Sequence, residues 1–133
     1  MDVITDTTLW ELVKHLKQWL LNLRRANAKR KAQSVQALRT VIIAARQTSA
    51  YVRQVKEAGR VSHDTEGKLA AEWTRLGFEL QDLGLTKLAK RCDINGRYWA
   101  NPAQFDDAYL HKADIGLERM ELLARQMVAE VER

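Results

Sequence analysis

Hydrophobic residues recur along this chain at spacings of three and four, the period of one face of an α-helix. Leu9, Val13, Leu16, Leu20 and Leu23 keep a 4-3-4-3 rhythm. Thr8-Leu9-Trp10-Glu11 fits a capping box, in which the hydroxyl accepts from an amide three residues on and the glutamate reaches back. A first helix is therefore predicted from Thr8. Its end is open, because Asn27 is the only weak breaker in Arg24-Arg25-Ala26-Asn27-Ala28-Lys29-Arg30-Lys31. That segment can be a turn or continuous helix. A second helix is predicted from about Lys29 to Ala58, with Gly59 as its C-terminal cap. Val35, Leu38, Ile42, Ala45, Ser49 and Val52 form one stripe on it, and Val41, Ala44, Thr48, Tyr51 and Val55 a second. An apolar face this wide needs more than one partner helix.

A third helix is predicted from Ser62 as N-cap, with Asp64 and Glu66 in its first turn. Leu69, Trp73, Leu76, Leu80 and Leu83 line its face, and Gly84 stops it. Ala70, Gly77 and Gly84 lie seven apart, where small residues let a neighbouring backbone come close. Thr86 then caps a short helix through Leu88 and Cys92, and Asn95-Gly96 signals a turn. The last helix opens at Asn101-Pro102, an N-cap followed by proline at the first helical position. Leu110, Ala113, Leu117, Met120, Ala124, Met127 and Val131 line it. No strand is needed anywhere. The expected fold is all-α: one domain over residues 1–133, an antiparallel four-helix bundle with a short extra helix between the third and last long helices. The same heptad spacing suits coiled-coil pairing between subunits. Packing inside one bundle is the simpler reading of most of these positions.

Charge changes the picture. The net +5 is uneven: residues 1–60 carry +8 and residues 61–133 carry −3. Either the halves neutralise each other within the fold, or the basic half faces a polyanion. Arg24, Arg25, Lys29, Arg30 and Lys31 put five cations within eight residues, a field that attracts phosphate with little sequence preference. The alternative is a solvated turn. Arg39, Arg46, Arg53 and Arg60 lie seven apart and form a slowly drifting stripe on the second helix. They can track a nucleic-acid backbone. They can also pair with Asp107, Asp114 and Glu121 on the last helix, or Glu72 and Glu79 on the third, which repeat the spacing. Internal pairing is the preferred reading.

Further candidate chemistry is sparse. Asp107, His111 and Asp114 share one helical face and could begin a metal site, but no Glu-x-x-His pair accompanies them. Arg97, Tyr98 and Trp99, in a predicted loop, could stack bases or anchor a protein; closing one end of the core is the plainer role. Cys92 follows Lys90-Arg91, and nearby cations lower a thiol pKa, yet a buried inert thiol is the expectation. His15, among leucines, reads as a boundary residue. No phosphate-binding glycine loop, H-E-x-x-H or C-x-x-C occurs. The single cysteine suits a reducing compartment. The acidic, polar N-terminus lacks the pattern of a signal peptide. Val41 to Ala45, the longest strongly apolar run, is far too short for a bilayer. A cytoplasmic protein is expected, with no membrane partner.

The sequence thus points first to a non-catalytic helical bundle that binds another protein or itself, with no cofactor. Wide apolar faces and four tryptophans in a small chain support that reading. A nucleic-acid-binding accessory protein using the basic N-terminal half is the alternative. An enzyme built on Asp107, His111 and Asp114, or on Cys92, comes third.

Overall fold

The computed structural model describes residues 17–23, 27–106, 108 and 116–132. Helix α1 covers residues 17–23, α2 Ala28–Ala58, α3 His63–Asp82 and α4 Thr86–Ala100. A 3-10 turn at Pro102–Gln104 and helix α5, Leu117–Glu132, complete the order. The fold is all-helical, with no strand among the described residues. The predicted start at Thr8 and the positions Leu9, Val13 and Leu16 lie outside those residues. None of the described helices is long and apolar enough to cross a membrane.

The open question at Arg24–Lys31 is answered at Asn27. Its backbone is extended, with φ −73° and ψ 170°, and its side chain accepts from the Arg30 amide at 2.9 Å. An asparagine satisfying an orphan amide in this way is an N-cap. Helix α2 therefore starts afresh and runs 31 residues without a breaker. Gly59 ends it at φ 69°, a left-handed conformation in which glycine carries no Cβ penalty, and donates its N–H to Val55 O at 2.8 Å. Ser62 caps α3, its hydroxyl accepting from the Thr65 amide at 3.1 Å. The Tyr51 hydroxyl accepts from the Ser62 amide at 2.8 Å, which fixes the turn between α2 and α3. Deeper in, the Trp73 indole donates to Thr48 Oγ1 at 2.9 Å, and the Thr48 hydroxyl donates to Ala44 O at 2.7 Å. Both side chains are wholly buried.

Two sequence expectations are corrected in the second half. Asn95-Gly96 is not a turn: α4 runs through it to Ala100, so the extra helix has 15 residues and the predicted loop is helical. Packing absorbs both turn-forming residues. A Cβ on Gly96 would meet Thr74 Oγ1, Thr74 N at 3.1 Å and Ala70 O at 3.2 Å. The buried Asn95 amide donates to Arg91 O at 3.2 Å and to Met120 Sδ at 3.4 Å. Tertiary contact thus overrides the local preference. Thr86 is the first helical residue, while Leu85 holds the cap position without a side-chain cap bond. The second correction concerns the last helix. Pro102 opens only the 3-10 turn, because Phe105 leaves it in extended backbone and packs on Tyr98, ring centroids 6.0 Å apart. The described final helix begins at Leu117; Leu110 and Ala113 lie outside the described residues.

Helix α5 runs opposite to α2, since Arg46 pairs with Glu121 and Arg39 with Glu132. Its Met120, Leu123, Ala124 and Met127 are buried. They meet a core in which Leu38, Val41, Trp73, Leu76, Leu80, Leu85 and Leu88 are all at most 1% exposed. Complete burial of each such leucine is worth about 1.5–3 kcal/mol. Trp19 and Trp99 are buried too, so every described tryptophan stabilises the interior and none offers a surface anchor.

Candidate interaction surface

The basic residues singled out from sequence divide into three groups. Arg24 and Arg25 lie outside the described residues. Lys29, Arg30 and Lys31 occupy the first turn of α2, which contains no acid. Arg30 is engaged, its Nη2 donating to Leu83 O at 2.9 Å. The same carbonyl accepts from the Trp19 indole at 2.9 Å, so α1, α2 and the end of α3 meet there. Lys29 is exposed and Lys31 half-buried. Along the arginine stripe, Arg39 pairs with Glu132 at 3.1 Å and Arg46 with Glu121 at 3.1 Å. Glu121 is one of the acids expected to face the stripe, while Glu132 is not. Glu72, another expected partner, instead accepts from the Gln47 amide at 2.8 and 3.0 Å. Arg53 and Arg60 are exposed and form no ion pair with another described residue. Asp107 and Asp114 lie outside those residues. Exposed pairs of this kind contribute about 0–1 kcal/mol each and set register more than stability.

Arg97, Tyr98 and Trp99 stand on the last turn of α4, not in a loop. Trp99 is buried and meets Tyr51 and Tyr98 edge to face, with centroids 5.6 and 4.9 Å apart. This aromatic group closes one end of the core, which removes the Trp99 ring from any base-stacking surface. Arg97 remains on the surface and pairs with Asp93 at 2.9 Å.

Asp107, His111 and Asp114 lie outside the described residues, as does His15. Among the described residues no three His, Cys, Asp or Glu side chains gather as metal ligands. His63 sits at the start of α3 beside Glu66, 3.2 Å away. Cys92 is fully buried, and burial pushes its thiol well above the usual range; Arg91 lowers it less, and Asp93 raises it. The native protein should therefore resist aromatic disulfide reagents at pH 8 and react once unfolded in guanidinium. The sign of the pH effect follows. Above the unfolded thiol value of about 8.5 the unfolded chain loses this proton while the folded chain keeps it, so stability falls by up to about 1.4 kcal/mol per pH unit from this group. Urea titrations at pH 7.5 and 9.5 of the parent and of Cys92→Ala measure the difference, which the variant should lack.

Sequence reasoning missed the surface that stands out in the fold. Between α3 and α4 runs an open groove of about 560 Å³, floored by Ala70, Ala71, Thr74, Gly96 and Ala100. It exists because Gly77 and Gly96 let the two backbones approach: a Cβ on Gly77 would lie 3.3 Å from Ala89 O and 3.4 Å from Asp93 N. These contacts also show that the helices run in opposite directions. Phe78 therefore marks one end of the groove and Ala70 and Ala100 the other, with the Asp93–Arg97 ion pair along its α4 side. Phe78 is 67% exposed, the most exposed large hydrophobic side chain among the described residues. Arg75 stands on the rim one turn before it. A signal was available, since Phe78 falls off the Trp73-Leu76-Leu80 stripe and is the one aromatic of α3 that the core pattern does not use. Comparison of the chain with protein-family models, curated proteins and solved structures found no match.

Proposed function

We propose that the helices form an antiparallel four-helix bundle with α4 packed on it as an additional helix, and that the protein is non-catalytic and works by binding protein through the α3–α4 groove. The single observation carrying this reading is Phe78, held in the open beside a shallow floor of small side chains. Grooves of this shape take an apolar helix face, with aromatic side chains as anchors. Covering one phenylalanine is worth about 1.5–3 kcal/mol, enough to matter for association and too little to need covering in the free protein. A photo-reactive p-benzoyl-phenylalanine at position 78, irradiated in cells, tests the idea. A protein cross-linked at that position is expected; no adduct at position 78 beside efficient control sites would end the proposal.

One observation favours a second reading, polyanion binding. The Arg30–Leu83 bond sets the first turn of α2 close to that of α4. Both turns lack acids, and they bring Lys29, Lys31, Lys87 and Lys90 to one end of the molecule. The positive ends of two helix dipoles add to that field. Further along α2, Arg39 and Arg46 are held by acids. Labelled single-stranded RNA and duplex DNA, titrated at several salt concentrations, distinguish the readings. Polyanion binding requires affinity that falls steeply with salt. Absence of binding at low salt would leave the groove as the functional surface.

A further inference from the structure

The α3–α4 groove has a length, a depth and a charge. From Ala70 to Phe78 it follows α3 for about 12 Å at the usual helical rise, the reach of roughly two helical turns. Its floor is Ala70, Ala71, Thr74, Gly96 and Ala100, so large side chains of an incoming helix can sink between the two backbones. Phe78 stands at one end and calls for an apolar neighbour on that helix. Three charged side chains line the groove: Arg75, Asp93 and Arg97. Asp93 and Arg97 are closed on each other at 2.9 Å and cancel. Arg75 is exposed, one turn before Phe78, and forms no ion pair with another described residue. The lining thus carries one uncompensated positive charge, set near its most exposed apolar side chain.

We propose that the occupant of this groove is a short amphipathic helix of another protein, acidic at the edge of its apolar face, with a carboxylate against Arg75; the proposal rests on the protein-binding reading above. A lysine at that edge would meet Arg75 as a like charge and find no carboxylate free in the lining, because Asp93 is already paired. A glutamate engages Arg75 without breaking an existing pair. A second copy of this chain is disfavoured on the same ground, since two linings of the same sign would face each other. The net charge of +5 draws an acidic segment toward the molecule at longer range. Covering Phe78 supplies affinity, and Arg75 supplies the choice between helices.

Display of helical peptides on yeast, sorted against the folded chain, tests this. The library keeps leucine along one face of a helix of about 14 residues and varies the flanking positions among Glu, Gln and Lys. Sorted clones should carry Glu, and rarely Lys, at a flanking position. They should bind Phe78→Ala about tenfold more weakly and Arg75→Glu about fivefold more weakly, whereas a library sorted on Arg75→Glu should carry Lys instead. Arg53→Glu makes the same change in net charge outside the groove and should sort the same clones as the parent, which separates a local effect from overall charge; circular dichroism shows the variants folded. Clones without a Glu preference, or indifferent to Phe78→Ala and Arg75→Glu, would overturn the acidic helix, and so would a library that yields no binder. If position 78 then still cross-links to another protein in cells, the protein-binding reading stands without it. A cross-link joining two copies of this chain, or single-stranded RNA whose binding is lost in Phe78→Ala, would give the groove to a different occupant and overturn the proposal too.

Discussion

Gly96→Ala is expected to destabilise the protein by about 1–3 kcal/mol, and Gly67→Ala to stabilise it by about 0.5–1 kcal/mol. Both glycines lie inside helices, where alanine is intrinsically the better residue. They differ in what a methyl group would meet. Nothing lies within 4 Å of a Cβ at Gly67. At Gly96 the new carbon would press on the α3 backbone, with Thr74 N at 3.1 Å and Ala70 O at 3.2 Å, and on the Thr74 hydroxyl. A side chain can rotate away, but a helix backbone can move only by opening the α3–α4 seam. Adding Thr74→Ala to Gly96→Ala should recover part of the loss and leave the backbone share. Thermal melts can read this, since 1 kcal/mol shifts the midpoint of a chain this size by roughly 3–5 °C. A Gly96→Ala protein as stable as its parent would mean that α3 and α4 do not cross this closely.

The largest single loss should follow removal of Trp73, at about 3–5 kcal/mol for Trp73→Ala. A finer test uses its hydrogen bond. Thr48→Val keeps the shape of the side chain and strips the acceptor from a wholly buried indole N–H. An orphaned donor in that position costs about 1–3 kcal/mol. Trp73→Phe removes the donor instead and leaves a smaller ring. Because the double variant has no unsatisfied donor, its loss should fall short of the sum of the two single losses by about 1 kcal/mol. Chemical denaturation of the four proteins gives the coupling directly. Strict additivity would show that the contact between Thr48 and Trp73 contributes nothing of its own.

Much of the fold was readable because it is local. The cap at Gly59, the cap at Ser62 and the stripe Leu69, Trp73, Leu76, Leu80 and Leu83 follow from spacing and backbone chemistry within a few residues. What misled were residues whose role is set across the fold. Asn95 and Gly96 carry a turn signature, yet a sulfur on α5 and the backbone of α3 hold them in helix. Ser34 is fully buried although polar, because its hydroxyl donates to Arg30 O at 2.8 Å, whereas Ser49, placed on the apolar stripe, is exposed. Hydrophobic pattern registers neither. The candidate surface was less legible than the fold. Tryptophan and arginine stood out by composition, but the described tryptophans are interior and Arg30, Arg39 and Arg46 are engaged within the chain. The groove depends on small side chains contributed by two helices, and a one-dimensional pattern shows only one helix at a time.

The Leu83 carbonyl, where an indole and a guanidinium arrive from separate elements, also bears on how the molecule comes apart. With both acceptor positions of one oxygen filled, α1 and the first turn of α2 share this attachment to the end of α3. Movement of that end disturbs both donors together. Opening of this corner should consequently be cooperative: amides at the end of α3 and in the first turns of α2 should exchange with solvent as one unit, ahead of the long middle of α2. A protein with such a corner yields first at its edge while the centre stays closed.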